Sequence, residues 1–154
     1  MKVLLVCTGN TCRSAMGEAL LRREIETRQV GELISVSSAG TAALPGDLAS
    51  EGARCVMAGR DIDLQAHRAR PLTAELIAAS DIVLTMTARQ RDAVVAMAPD
   101  AAAKVFLLKE FAGLGGADIL DPFGGPVETY RACADELAAI MPAVVDRLLE
   151  QRSV

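Results

Sequence analysis

Four short apolar runs punctuate the chain, and between them polar and apolar residues alternate at helical spacing. Val3 to Val6, LISVSS at 33–38, DIVLTM at 81–86 and KVFLL at 104–108 have the continuous apolar character of strands covered on both faces. The segments between them have room for crossover connections, which predicts parallel strands. Ser14 to about Gln29 sets Met16, Ala19, Leu20 and Ile25 among polar residues, the stripe of an amphipathic helix. A second helix is expected over Asp47 to Ala58, capped by Asp47 and stopped at Gly59, and a short third over Leu72 to Ala79. Thr87-Ala-Arg-Gln90 has the form of a capping box and opens a helix to about Met97, which Pro99 ends. The last helix is expected to begin near Pro126, after Gly124-Gly125, and to run through Leu137, Ile140, Val144 and Leu148 with a kink at Pro142. With right-handed crossovers the sum is an α/β fold, an open four-stranded parallel sheet with helices on both faces. Such sheets bind ligands at the carboxyl ends of their strands.

Composition narrows the class. The 154 residues, 51% hydrophobic and 23% charged, suit one globular domain over 1–154, with no linker, repeat or low-complexity segment. A net charge of −4 argues against a broadly basic surface, so no nucleic-acid partner is expected. The first apolar run is too short for a secretory core or a membrane span, which predicts a cytoplasmic protein with no membrane partner, a monomer by default. Four cysteines without a CxxC pair and a single histidine supply a zinc site poorly, and no metal or other cofactor is expected. Free thiols in a reducing compartment fit better.

The candidate chemistry lies in CTGNTCRS, residues 7 to 14, at the first strand-to-helix turn. Backbone N–H groups of a tight loop and a first helical turn lack intrahelical partners and can converge on an anion, aided by the helix dipole. Thr8, Gly9, Asn10, Thr11, Cys12 and Ser14 are the expected phosphoryl cradle, with Gly9 allowing close approach and Asn10 tolerating a left-handed backbone. The same field favours the thiolate form of a central cysteine, so Cys7 is the candidate nucleophile. Arg13 offers a planar fork for phosphoryl oxygens, and Ser14 a hydroxyl for the sulfur when it leaves. A strand-ending cysteine is often a small hydrophobe, and Cys-x5-Arg arises by chance. It is the placement of this loop that distinguishes it. A nucleotide-binding loop is excluded because GxxxxGK[ST] is absent.

Phosphoryl transfer also requires a proton for the departing atom. Asp121, in LDPFGG at 120–125, is the candidate acid, although an Asp-Pro-x-Gly turn by itself is commonly turn chemistry. With VCTGNTCRS, SSAGT at 37–41, AHRARPLT at 66–73 and DPFGG in hand, the chain resembles the low-molecular-weight protein tyrosine phosphatase family over nearly its whole length. The resemblance implies Cys7 as nucleophile, Arg13 as clamp, and Asp121 as acid and then base for the water that attacks phosphocysteine. It also implies that Asn10, Ser38 and His67 form a supporting network; by itself His67, among arginines, reads as a solvent-facing polar residue.

Within that family many loops carry an aliphatic residue where this chain has Thr11, and here the sequence is closer to bacterial protein-arginine phosphatases. A threonine adds a hydroxyl that can align groups near a polar guanidinium, or it serves only as a loop residue. Phe123 is expected as an aromatic wall that suits a guanidinium plane or a phenol ring equally. Ala15 and Gly17 depart from the Pro-Met-Ala run usual after the serine, which loosens the helix start. Cys12 is either a packing residue or a redox partner for Cys7, and Cys55 and Cys133 are expected to carry no chemistry. The expected reaction is hydrolysis of phosphorylated protein side chains, phosphoarginine ahead of phosphotyrosine. Thiol-coupled arsenate reduction would need two further cysteines on a mobile segment, absent from 80–95. A phosphocysteine carrier would have no use for a hydrolytic acid.

Overall fold

The computed structural model describes residues 1–153. Four parallel strands, β1 (Lys2–Cys7), β2 (Ser35–Gly40), β3 (Ile82–Thr85) and β4 (Val105–Leu107), form one sheet in the order β2-β1-β3-β4. Helices α1 (Arg13–Thr27), α2 (Glu51–Ala58) and α6 (Val127–Arg152) lie over one face, with the short α5 (Leu108–Phe111), and α3 (Ala74–Ala79) and α4 (Ala88–Met97) over the other. The alternation of side chains along β1 assigns its residues to two cores. Val3, Leu5 and Cys7 join the larger one with Met16, Leu21, Leu137 and Met141; Leu4 and Val6 join the smaller with Ile77, Val83 and Val94. Cover on both faces is why these strands read as continuous apolar runs.

The boundaries move in instructive ways. The second strand starts at Ser35 rather than 33, because Leu33 and Ile34 donate back to the Val30 carbonyl and close the turn out of α1, and it runs on to Gly40 opposite Cys7. Asp47 does not cap α2: Leu48 bridges to Arg68, which holds the segment extended, and Ser50 is the cap, its Oγ accepting from the Ala53 N–H at 3.4 Å. Thr73 caps α3, so that helix starts two residues later than the apolar pattern suggests. The capping box at Thr87 and Gln90 is present as expected. Pro99 opens a 3-10 turn, Pro99–Lys104, and Leu108 starts α5 instead of extending β4. Pro126 sits at the N-cap of α6, and that helix continues through Pro142 without interruption.

The order β2-β1-β3-β4 places β1 between β2 and β3, at the point where successive crossovers diverge to opposite faces. The segments leaving the carboxyl ends of β1, β2 and β3 therefore meet, and residues 119–123 join them from beyond β4. No helix among the described residues is long and apolar enough to cross a membrane.

Candidate active site

The 7–14 loop is shaped from outside. The carbonyls of Cys7 and Thr8 accept from Thr41 and Ala42 N–H, each at 2.9 Å, that of Thr11 accepts from Ser50 N–H at 2.9 Å, and that of Cys12 accepts from Met16 N–H at 2.9 Å. The Asn10 carbonyl takes the His67 ring at 2.6 Å; a carbonyl can only accept, so Nε2 carries the proton. With the carbonyls tied outward, the amides of the loop and of the first turn of α1 turn toward the interior, the arrangement an anion requires. Gly40 is needed here, because a Cβ on it would lie 2.5 Å from the Thr8 carbonyl oxygen.

Asn10 is fully buried with φ of 57°, a left-handed backbone held by its side chain. Its Oδ1 accepts from Arg70 N–H at 3.0 Å, and its Nδ2 donates to Ser14 Oγ at 2.8 Å and Ser38 Oγ at 2.9 Å. Ser14 thus has an acceptor position filled, and its one proton is available to Cys7 Sγ, 2.8 Å away. The sulfur takes a second bond from Asn10 N–H at 3.2 Å. On the far side, Gln90 Nε2 donates to Thr8 Oγ1 at 3.1 Å while its Oε1 accepts from Met86 and Thr87 N–H, so the capping residue of α4 also braces the loop.

Arg13 is 5% exposed. Its Nη1 donates to the Ile119 carbonyl at 3.0 Å, its Nη2 lies 3.4 Å from Asp121 Oδ2, and its buried Nε has no partner among the described residues. Asp121 is half exposed, and its other oxygen accepts from Phe123 N–H at 3.0 Å. Cys7, Thr8, Gly9, Thr11, Cys12, Arg13, Asp121 and Phe123 line one cavity of about 300 Å³, and Ala42, Leu44 and Asp47 complete it. Of the residues singled out from sequence, these eight meet in the pocket, while Asn10, Ser14, Ser38 and His67 stand behind the loop. Phe123, 71% exposed, and Leu44 stand at the mouth.

The remaining thiols separate by environment. Cys12 Sγ lies 3.1 Å from Ser50 Oγ and 3.8 Å from the Tyr130 hydroxyl. Burial pushes that phenol above its ordinary value. Gly52 lets the Tyr130 ring settle there, since a Cβ would come within 2.4 Å of it. Cys55 is exposed on α2. Cys133 is buried on α6, and burial pushes it up to about 12, with Arg13 pulling the other way, so it stays protonated at neutral pH. Gly17 lies tight against Leu5 and Met86, where a Cβ would meet atoms of both at 3.3 Å.

Sequence reasoning missed Ser50, Tyr130, Gln90's second bond, the Ile119 carbonyl and the mouth residues Leu44 and Asp47. Only the capping box gave any local signal.

A family model described as low molecular weight phosphotyrosine protein phosphatase matches residues 2–154. The chain belongs to that family. Among family members, the protein-arginine-phosphatase of Geobacillus stearothermophilus is 43% identical over 97% of this chain and 95% of its own. That of Bacillus subtilis is 37% identical over 99% of each chain. A solved structure of a YwlE arginine phosphatase mutant with a phosphorylated active site serine superposes with a TM-score of 0.94, at 35% identity over 99% of each chain. The phosphatase fold and the turn after its first strand are thus shared along the full length of these relatives.

Proposed function

We propose that this member of the family is a cytoplasmic protein-arginine phosphatase acting through a phosphocysteine. The observation that carries the reading is the sulfur of Cys7 under two hydrogen bonds, with the buried Arg13 beside it keeping an unpartnered Nε in a pocket that ends at Asp121. In the first step Cys7 Sγ attacks phosphorus and the P–N bond of the substrate breaks. Asp121 delivers its proton to the departing guanidine nitrogen, and Arg13 with the loop amides carries the equatorial oxygen charge. In the second step the Asp121 carboxylate takes a proton from water, the water oxygen attacks phosphorus, and the P–S bond breaks. Ser14 and Asn10 hold the sulfur as it leaves.

Support for phosphoarginine comes from Thr11 in the pocket lining and from the two relatives named as protein-arginine-phosphatases. The reading for phosphotyrosine has the exposed Leu44 at the mouth in its favour, an apolar edge for a phenol ring, whereas Phe123 beside it suits either substrate. The deciding measurement is kcat/KM on phosphoarginine and phosphotyrosine peptides of one sequence. Thr11→Ile is expected to shift the ratio toward phosphotyrosine by roughly tenfold, since it replaces a hydroxyl with packing; an unmoved ratio removes Thr11 from the role.

All four cysteines are free, which suits a reducing compartment, and Cys7 and Cys12 share the pocket. We assign them a protective oxidation. Cys7 thiolate attacks hydrogen peroxide, the O–O bond breaks and hydroxide leaves. The Cys12 thiol, released from Ser50 and Tyr130, then displaces water from the sulfenic acid to form a disulfide. Peroxide should inactivate the wild type reversibly by dithiothreitol, whereas in Cys12→Ser a second molecule of peroxide oxidises the unprotected Cys7 sulfenic acid to the sulfinic acid, so that excess peroxide should abolish activity for good. Full recovery of Cys12→Ser after excess peroxide would dismiss the pair.

A further inference from the structure

Resting on the phosphoarginine reading, we propose that Asp47 is a specificity-determining residue, its carboxylate reading the positive charge that the substrate guanidinium carries behind the phosphoryl group. Asp47 lines the mouth of the pocket beside Leu44 and Phe123, above a floor made by Cys7, Arg13 and the loop. Its backbone is fixed: its N–H donates to the Leu44 carbonyl at 3.2 Å, its carbonyl accepts from Ala69 N–H at 2.8 Å, and Gly46 N–H bonds the Ala69 carbonyl at 2.8 Å. Its carboxylate, by contrast, is exposed and makes no ion pair or side-chain hydrogen bond among the described residues. The segment is therefore held in place while its charge remains available.

The pocket thus carries a charge gradient. The floor is cationic, from the Arg13 guanidinium and the amino end of α1, and the mouth is anionic at Asp47. Asp121 has a bond to Arg13 and a proton to move; Asp47 has neither obligation. A phosphoguanidinium matches this gradient, with its anion leading and its delocalised cation one bond behind. An aryl phosphate presents the same anion followed by a neutral ring, gains nothing at the mouth, and meets a carboxylate that repels its phosphoryl charge on entry. Thr11 would act on the transferring group itself, whereas Asp47 acts on the charge behind it, and the two selections are independent.

The test is kcat/KM on paired phosphoarginine and phosphotyrosine peptides for wild type, Asp47→Asn and Asp47→Glu, at low ionic strength and at about 0.5 M salt. Asp47→Asn should lower the phosphoarginine value by about two- to fivefold at low salt, the scale of one exposed charge pair, and raise the phosphotyrosine value by a smaller factor. Asp47→Glu should restore most of the ratio, and high salt should shrink the difference between wild type and Asp47→Asn. Equal changes on both substrates, an unchanged ratio, or a ratio indifferent to salt would each overturn the role of Asp47 and leave the phosphoarginine reading standing. A wild type without phosphoarginine activity would overturn that reading, and this inference with it.

Discussion

Cys7→Ser is expected to cut hydrolysis of any phosphorylated substrate by at least about 10⁴-fold, the scale on which removal of a covalent nucleophile acts, while inorganic phosphate still binds. The structure separates these two properties. In the proposed mechanism the sulfur contributes the bond to phosphorus, but the cradle is built from carbonyls tied outward to Thr41, Ala42, Ser50, Met16 and His67, and none of those contacts involves the Cys7 side chain. A serine oxygen at the same place keeps the bonds to Ser14 and Asn10 and is a far weaker nucleophile. Titration of the variant with phosphate by calorimetry or fluorescence checks the first property and steady-state turnover the second. Turnover like the wild type's would end the covalent mechanism, and loss of phosphate binding would mean that the sulfur shapes the loop as well as attacking.

Asp121→Asn is expected to lower kcat by about 10²-fold or more on a substrate with a poor leaving group, and by much less on a nitrophenyl ester that departs without a proton. An asparagine keeps the size of the side chain and an oxygen able to accept from Phe123 N–H, but it has no proton to give at neutral pH. The substitution also removes a carboxylate 3.4 Å from Arg13 Nη2, so phosphate should bind the variant more tightly, one negative charge having left the site. A fall in kcat with unchanged or tighter phosphate binding identifies acid catalysis. A fall confined to KM would show that Asp121 serves only to orient Arg13, and an equal loss on both leaving groups would remove it from proton transfer.

The parts of the site legible in the sequence are those whose geometry is local. CTGNTCRS announces its turn, its left-handed Asn10 and its thiol because strand end, loop and helix start are contiguous. The capping box at Thr87 and Gln90 is likewise a matter of residues three apart. Gln90's second task, bracing Thr8, depends on β3 lying next to β1, and nothing near Gln90 encodes that adjacency. Asp47 was misread for the same reason: aspartate before an apolar run is a sound cap signal, but the bridge from Leu48 to Arg68 is a contact across twenty residues that keeps the segment out of the helix. His67 among arginines reads by itself as solvent-facing; it is the family resemblance that places it in the network behind the loop, where its ring meets the Asn10 carbonyl. The helix α5 was missed because its single turn, Leu108–Phe111, is too short to show a period.

The outward anchoring of the loop bears on how far this chemistry can be moved. Its anchors are backbone, imidazole and side-chain amide groups contributed by segments near residues 41, 50, 67 and 90, and its guanidinium is aimed by a carbonyl at 119. Transplanted alone to another strand-to-helix turn, the eight residues CTGNTCRS would bring the nucleophile and the cation but not the forces that orient them. Asn10 would then be free to relax from its left-handed backbone. A graft that works must carry the neighbourhood, which makes the sheet itself, rather than its best-known turn, the smallest portable unit of this activity.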